Sequence, residues 1–244
     1  LTADSNIYAS LSEGFKAGGY ATYECTEPYD PEEVTSLEFG FKGSLGDNTS
    51  LNASLFRYDY TDFQVLQVVG IQTVTRNAGD ATVNGLELEA LTNVSDSLTL
   101  NYGVTLLDAT YGEFLNTNGL EPQLGEQQLE GNYLSNAPKV SVNFGLNYTS
   151  ILSSGSSLTY RANAAYKSKI YFSEFNEYAQ DAYTIVDLNL IWESADETFR
   201  SRFFIKNATD EEYISGYLSS ATGGGRFGQW GYPRTAGIEI QRNF

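Results

Sequence analysis

Apolar and polar side chains alternate without interruption in the stretch Val140-Ser141-Val142-Asn143-Phe144-Gly145-Leu146-Asn147-Tyr148. Successive side chains of a β-strand point to opposite faces, so this stretch places its apolar residues on one face and its polar residues on the other. It therefore predicts a strand with one dry face and one wet face.

The same period of two recurs along the whole chain, whereas convincing runs with the i, i+3, i+4, i+7 spacing of a helix are lacking. Composition agrees, because 18 Tyr and 14 Phe suit an aromatic-rich β protein. We predict an all-β, antiparallel fold of about ten strands. They lie at about 5–13, 34–43, 50–60, 82–92, 98–112, 138–149, 157–167, 182–193, 199–207 and 233–244.

Short and long connections alternate strictly between these strands. The four short ones are rich in Gly, Asn, Asp and Ser and are typical of turns: Ser44–Thr49, Asn93–Ser97, Ser150–Ser156 and Ser194–Thr198. The five long ones are Gly14–Glu33, Thr61–Ala81, Glu113–Ala137, Ser168–Asp181 and Ala208–Tyr232. Turns at one rim and long loops at the other are typical of a transmembrane β-barrel of the outer membrane.

A soluble antiparallel sandwich is the alternative, because its strands also alternate, with the apolar face turned into a core. Aromatic residues near many strand ends favour the membrane barrel, as does a last strand that ends in Phe244. Neither a signal peptide nor an apolar stretch long enough for a transmembrane helix is expected.

Charge and composition exclude several function classes. The 244 residues carry a net charge of −17, the wrong sign for a nucleic-acid binder. Histidine is absent, which removes histidine general bases, histidine-dependent nucleophiles and histidine-ligated metals. Cys25 is the single cysteine, so we expect no intrachain disulfide and no cysteine-rich metal site.

Most of the negative charge belongs to the long connections. These hold seventeen acidic residues against four basic ones, which is −13 of the −17. The densest cluster lies in the first long connection and lacks the glycine-centred spacing of a calcium loop, so we interpret it as a solvated acidic loop without a metal. Its members are Glu24, Glu27, Asp30, Glu32 and Glu33.

Five motifs occur together along the chain. They are Ser12–Tyr20 (SEGFKAGGY), Asn77–Ala90 (NAGDA running into GLELEA), Asn136–Lys139 (NAPK), Lys206–Tyr213 (KNATDEEY) and Tyr232–Phe244 (YPRTAGIEIQRNF). In this order and at these distances they resemble the C-terminal half of the barrel of TonB-dependent outer-membrane receptors, the siderophore and vitamin transporters of Gram-negative bacteria. The resemblance spans essentially the whole chain.

The resemblance implies a barrel of twenty-two strands with an N-terminal plug domain. We therefore expect residues 1–244 to form a C-terminal portion of such a barrel without its plug. A ten-strand sheet with lipid-facing side chains has two open edges, so we expect the first and last strands to pair with absent chain.

The function that the resemblance implies is uptake of a scarce nutrient across the outer membrane of a Gram-negative bacterium, and we expect this nutrient to be a ferric siderophore. No catalysis and no resident cofactor are expected, since the iron chelate is the transported ligand. The implied partners are the TonB energy-transducing complex reached through the plug, outer-membrane lipid and lipopolysaccharide, the barrel assembly machinery and the small-molecule ligand.

Candidate ligand contacts lie in the first and last long connections. Aromatic faces beside a cation suit a planar, partly apolar metal chelate, and these residues are Tyr20, Tyr23, Arg226, Phe227 and Trp230. An aromatic belt at the membrane interface is the other interpretation of Trp230. The acidic loops disfavour a strongly anionic ferric catecholate, although their carboxylates also suit divalent ions that bridge lipopolysaccharide phosphates.

The last strand carries a second kind of signal. A terminal aromatic preceded by alternating apolar residues resembles the signal by which the assembly machinery recognises barrel proteins, and here these residues are Ile238, Ile240 and Phe244. Arg242 interrupts the alternation.

Two further functions stay open at this point. A self-contained outer-membrane enzyme or porin requires residues 5–13 to pair with residues 233–244, and the absence of histidine counts against most enzyme chemistry. A soluble carbohydrate-binding sandwich requires two stacked sheets around a shared dry core.

Overall fold

The computed structural model of the protein describes residues 4–21, 24–69, 72–77, 79–220 and 225–244. Nearly all regular structure in these residues is β, with one 3₁₀ turn at Pro122–Leu124. No described helix has the length and apolar character needed to cross a membrane.

In chain order the strands are β1 (Asn6–Lys16), β2 (Gly19–Ala21), β3 (Glu24–Tyr29), β4 (Glu32–Leu45), β5 (Thr49–Thr61), β6 (Gln64–Val69), β7 (Gln72–Asn77), β8 (Ala81–Ser95), β9 (Leu98–Tyr111), β10 (Leu115–Thr117), β11 (Glu126–Gln128), β12 (Val140–Ile151), β13 (Ser157–Lys167), β14 (Ile170–Tyr171), β15 (Ala179–Gln180), β16 (Tyr183–Glu193), β17 (Phe199–Lys206), β18 (Ile214–Ser220), β19 (Gly225–Trp230) and β20 (Thr235–Arg242).

Ten of these strands form one antiparallel sheet, which we call the wall. Its order is β1-β4-β5-β8-β9-β12-β13-β16-β17-β20, so every wall strand pairs with the next wall strand along the chain. The ten strands predicted from alternation are confirmed, with ends displaced by a few residues at most. This antiparallel sheet of sequential strands agrees with the all-β antiparallel class predicted from the sequence.

The pairing of the two edge strands tests the two alternatives, a self-contained barrel and a soluble sandwich. Among the described residues, β1 pairs only with β4 and β20 pairs only with β17. The pairing of β1 with β20 that a self-contained ten-strand barrel requires is therefore not found in this part of the chain. The soluble sandwich is wrong, because the long strands form a single sheet and not two stacked ones.

The short and long connections lie at opposite rims, which we call the turn rim and the loop rim. At the turn rim, Asp196 Oδ1 accepts hydrogen bonds from Ser194 Oγ at 2.7 Å and from Thr198 Oγ1 at 2.8 Å. These bonds hold the pKa of the Asp196 carboxyl below its ordinary value and close the turn between β16 and β17.

Each of the five long connections contains a two-stranded ribbon, which the sequence did not predict. The ribbons pair β2 with β3, β6 with β7, β10 with β11, β14 with β15 and β18 with β19. Backbone groups within these connections are thereby paired without adding a strand to the wall.

The two faces of the wall differ in chemistry as the alternation predicts. One face, the outward face, exposes large apolar side chains, among them Phe39 at 52%, Leu55 at 58% and Phe144 at 43%. The other, the lumen face, carries polar rows across neighbouring strands, such as the register-linked row Lys42, Asn52, Glu89, Gly103 and Asn143.

A cluster of buried apolar side chains lies at the loop rim. Tyr111, Phe114 and Leu129 form its centre, and they are 5%, 4% and 3% exposed. Partly buried side chains from three connections pack against them: Phe63, Val65, Leu134 and Phe175. The long connections therefore pack on one another through buried apolar side chains. The apolar outward face of the wall, in contrast, stays exposed to its surroundings.

Candidate ligand-binding rim

Asn77, from one of the five motifs, ties the first long connection to the second. Its Nδ2 donates hydrogen bonds to the carbonyl oxygens of Asp30 at 3.0 Å and Asp62 at 2.7 Å. Its Oδ1 accepts from the backbone N–H of Asp30 at 2.7 Å. One amide side chain thus satisfies three backbone groups and joins the residue after the first ribbon to the base of the second.

Gln64 makes a second bridge between the same connections. Its side chain is 8% exposed and donates to the carbonyl oxygens of Ala17 and Asp30, both at 3.1 Å. Its backbone N–H donates to Glu32 Oε2 at 2.7 Å, so this member of the acidic cluster is held by the fold.

The acidic cluster is only partly described. Asp30, Glu32 and Glu33 are placed, whereas the side chains of Glu24, Cys25 and Glu27 lie outside the described residues. Within the described part of the chain, no three His, Cys, Asp or Glu side chains converge in a way that suits a metal ion.

Asparagine side chains also join the third and fourth long connections. Asn116, 2% exposed, donates from Nδ2 to Glu174 Oε1 at 3.0 Å, and Asn132 Nδ2 donates to the Glu174 carbonyl oxygen at 2.9 Å. Asn176 exchanges two hydrogen bonds with the backbone of Tyr133, at 2.7 and 2.9 Å. The two connections therefore form one packed unit.

Glu174 is half-buried within this unit. Burial raises the pKa of its carboxyl above the ordinary 4.5, and the hydrogen bond from Asn116 only partly opposes the rise. The folded loops thus bind a proton more tightly than the unfolded chain does. The stability that this protonation contributes is fully present below the ordinary pKa and is lost as the pH rises through the raised pKa.

We expect Glu174→Gln to strengthen the packing of the third and fourth connections at pH 8 and to leave it nearly unchanged at pH 4. The amide keeps an oxygen for Asn116 and cannot ionise. Amide hydrogen exchange in residues 114–134, measured at both values with pH-corrected intrinsic rates, tests this. Glu130→Gln, at an exposed site in the same connection, is the control. Equal protection of the wild type and Glu174→Gln at pH 8 would contradict the expectation.

Asn207 begins the last long connection with φ of 47° and is 3% exposed. Its Nδ2 donates to the carbonyl oxygens of Glu211 at 2.8 Å and Tyr232 at 3.1 Å, and its Oδ1 accepts from the Glu211 N–H at 2.8 Å. Its backbone N–H donates to Asp187 Oδ1 at 2.8 Å. The start and the end of the connection are thus held by one side chain.

Arg226 lies where the third, fourth and fifth long connections meet. Its Nη2 donates to Glu121 Oε1 at 3.1 Å and lies 3.7 Å from Glu177 Oε2. Its guanidinium covers the Tyr178 ring, 4.0 Å from the centroid. Burial lowers the pKa of this guanidinium, but the bond to Glu121 and two neighbouring tyrosines outweigh that effect and raise it.

An aromatic stack continues from this cation. The Tyr178 and Tyr217 rings lie 5.5 Å apart and nearly parallel, and Phe172 stacks on Tyr217 at 5.7 Å. Such geometry favours ring–ring attraction beyond simple burial. The stack and Arg226 together link the fourth connection to the β18–β19 ribbon, and we call them the Arg226 cluster.

The structure places four of the five predicted ligand contacts, and they lie on two ribbons. Tyr20 is 62% exposed on the first ribbon, while Phe227 and Trp230 are 53% and 66% exposed on the last one. Tyr23 lies outside the described residues. Arg226 and Phe227 are adjacent on β19, so alternation turns them to opposite faces of the ribbon.

Sequence reasoning missed the partners of Arg226. Glu121, Glu177, Tyr178 and Tyr217 come from three different connections, and no local spacing marks them as neighbours. The only available signal was that a cation in such acidic loops needs carboxylate partners.

Two residues of the predicted assembly signal, Ile238 and Ile240, lie on the last wall strand, and Phe244 follows its end. Ile238 and Ile240 are 72% and 73% exposed on the outward face, opposite Phe203 and Ser201. Arg242 stacks its guanidinium on Phe244, 4.9 Å from the centroid.

One protein family matches most of this chain. Residues 1–208 match the family described as TonB dependent receptor-like, beta-barrel. The chain belongs to the TonB-dependent receptors. This family consists of transport receptors, and the resemblance given by the five motifs is confirmed. Its members are outer-membrane proteins of Gram-negative bacteria, which places the wall in that membrane.

Relatives of known sequence are receptors of this family. The chain is 28% identical over 228 residues to a probable TonB-dependent siderophore receptor, PiuA, from Acinetobacter baumannii, covering 88% of the chain and 29% of that receptor. It is 26% identical over 250 residues to the pesticin receptor of Yersinia enterocolitica, covering 100% of the chain and 34% of the receptor. The chain thus spans about a third of the length of these relatives.

Solved structures show the same fold. The ferric yersiniabactin uptake receptor FyuA from Yersinia pestis matches with a TM-score of 0.82 at 21% identity, over 100% of the chain and 36% of that receptor. The siderophore receptor PiuA from Acinetobacter baumannii matches with a TM-score of 0.77 at 21% identity, over 98% of the chain and 34% of that receptor.

Proposed function

We propose that the chain is the C-terminal portion of the barrel of a TonB-dependent receptor that takes up a ferric siderophore. The observation that carries this proposal is the family match over residues 1–208, on a wall with one apolar face and one polar face. Relatives named as siderophore receptors support a ferric siderophore as the transported ligand.

The proposed ligand site lies among the exposed aromatic side chains Tyr20, Phe227 and Trp230 of the loop rim, and Tyr23 remains a candidate from the sequence alone. Flat aromatic faces suit an iron chelate with apolar edges. Glu121 and Glu177 already neutralise the charge of Arg226. We therefore assign Arg226 a structural role, in which it holds three connections together beside the ligand. With a net charge of −13 in the long connections, the site favours neutral or cationic chelates.

The proposed partners follow from the location of each surface. The TonB complex acts through a plug domain that fills the polar lumen, and lipid with lipopolysaccharide covers the outward face. The barrel assembly machinery reads Ile238 and Ile240, which are exposed on the edge strand β20, and Phe244, which is exposed just after this strand.

Uptake of radioactive iron tests the proposal. We expect the full-length receptor, in a Gram-negative host without its own siderophore receptors, to import iron from at least one neutral or cationic ferric siderophore, and only when TonB is present. Phe227→Ala combined with Trp230→Ala should raise the half-saturating concentration about tenfold, since each aromatic contact is worth about 0.5–1.5 kcal/mol.

The control for the aromatic variant is Tyr148→Leu, an aromatic residue 42% exposed near the turn rim. It should leave the half-saturating concentration unchanged. Failure to import any of a broad panel of ferric siderophores, or import that is independent of TonB, would overturn the proposed function. Equal effects of the loop-rim and turn-rim variants would overturn only the proposed site.

A further inference from the structure

Two lysines and two tyrosines form a continuous row beside the wall. Lys139 Nζ lies 3.9 Å from the centroid of the Tyr133 ring and donates a hydrogen bond to the Tyr133 hydroxyl. The Tyr133 and Tyr171 rings stack 5.9 Å apart at an angle of 9°, and Lys169 Nζ lies 5.2 Å from the Tyr171 centroid. Both lysines are exposed and both tyrosines are half-buried.

The row lies on the outward face, immediately beyond the apolar band. Tyr133 bridges to Thr110, and bridged residues of antiparallel strands share a face. Thr110 is four residues from Leu106 along β9, so both side chains point the same way. Leu106 pairs with Val140 within the apolar outward face. Lys139 precedes the first residue of β12, and its ammonium is placed on this face by its contact with the Tyr133 ring.

The amines of the row keep their charge available. Among the described residues, neither Lys139 nor Lys169 has a carboxylate oxygen within 4 Å, whereas Arg226 and Arg234 at the same rim each form such a pair. Asp108 on β9 is the carboxylate that acts on Lys139, at longer range. A tyrosine ring holds an ammonium in place while leaving N–H donors free, because the ring attracts through its face and does not neutralise the charge.

We propose that this row binds a phosphate group of lipopolysaccharide in the outer leaflet. Two positively charged groups held in fixed positions on a lipid-facing surface suit a phosphorylated glycolipid, whose charge lies at the depth where the apolar band ends. The tyrosines supply an amphipathic surface for the sugar and for the interface. The inference deepens the lipopolysaccharide contact of the proposed function and rests on the outer-membrane location, but it is independent of the transported ligand.

Native mass spectrometry of the full-length receptor, delipidated and titrated with purified lipopolysaccharide, tests this site. We expect Lys139→Gln combined with Lys169→Gln to weaken binding about tenfold or more, since each substitution removes one positive charge that attracts the anionic surface. Dephosphorylated lipopolysaccharide should bind the wild type as weakly as intact lipopolysaccharide binds the variant. Lys139→Arg with Lys169→Arg should restore binding.

Lys42→Gln is the matched control, because Lys42 also lies over a tyrosine, 5.3 Å from the Tyr8 centroid, but on the lumen face. It should bind intact lipopolysaccharide like the wild type. Should the double variant fail to assemble, each single glutamine variant is expected to show part of the loss.

Undiminished binding by the glutamine variants, or equal binding of intact and dephosphorylated lipopolysaccharide, would overturn the proposal. Competition by inorganic phosphate at low millimolar concentration would overturn the assignment to a lipid. Iron uptake is measured separately, so loss of the proposed transport function leaves this test unaffected.

Discussion

Phe144→Arg will sharply reduce the amount of receptor that assembles in the membrane. Phe144 lies at the centre of the alternating stretch on β12 and is 43% exposed on the outward face. Its neighbours across the wall are Tyr102 and Ala164, which offer no counter-charge. An arginine on the lipid face near the middle of the bilayer costs about 2–4 kcal/mol.

The adjacent residue provides a matched control. Asn143 lies on the lumen face, in the polar row with Glu89 and Lys42, so Asn143→Arg should assemble nearly as well as the wild type. Folded barrel is measured from the heat-sensitive mobility of outer-membrane fractions on gels, and stability from denaturant titration in bilayers. Equal losses for Phe144→Arg and Asn143→Arg would contradict the assigned faces.

Asn207→Asp will release the last long connection. The substitution removes the Nδ2 donor that binds the carbonyls of Glu211 and Tyr232, and it places a carboxylate against both oxygens. Aspartate can also adopt the left-handed backbone at φ of 47°. The measured effect therefore reports the loss of the two hydrogen bonds and not backbone strain. We expect a local cost of about 2 to 4 kcal/mol.

Amide hydrogen exchange locates this effect. Protection should fall in residues 208–220 and 225–232, while the wall strands β12 and β13 stay as protected as in the wild type. Asn243→Asp is the control, because the Asn243 side chain donates a single bond, from Nδ2 to the Glu197 carbonyl at 3.0 Å, at the exposed turn rim. Unchanged exchange of the last connection in Asn207→Asp would show that these bonds do not hold the loop.

The wall was predictable from the sequence because its determinants are local. Alternation decides the face of each side chain, and Val140–Tyr148 falls within β12 as predicted. The placing of long and short connections at opposite rims follows from antiparallel pairing of sequential strands.

The loop rim was less predictable, because its contacts join residues far apart in the chain. In the β18–β19 ribbon, Ile214 pairs with Trp230. Arg226 binds Glu121, which belongs to a connection about a hundred residues earlier. The five motifs marked Asn77 and Asn207 as part of a family pattern, but only the structure shows that both side chains hold loop backbones.

Spin labels along residues 140–148 test the central claim, that this chain is a membrane-spanning wall between lipid and a polar lumen. Each position is changed to cysteine in the full-length receptor after Cys25→Ser, reconstituted in bilayers, and probed with oxygen and with a water-soluble nickel chelate. We predict oxygen accessibility to peak at residues 142, 144 and 146 and nickel accessibility to peak at residues 141, 143 and 145. Low accessibility of residues 142, 144 and 146 to both reagents, as in a dry protein core, would contradict the account.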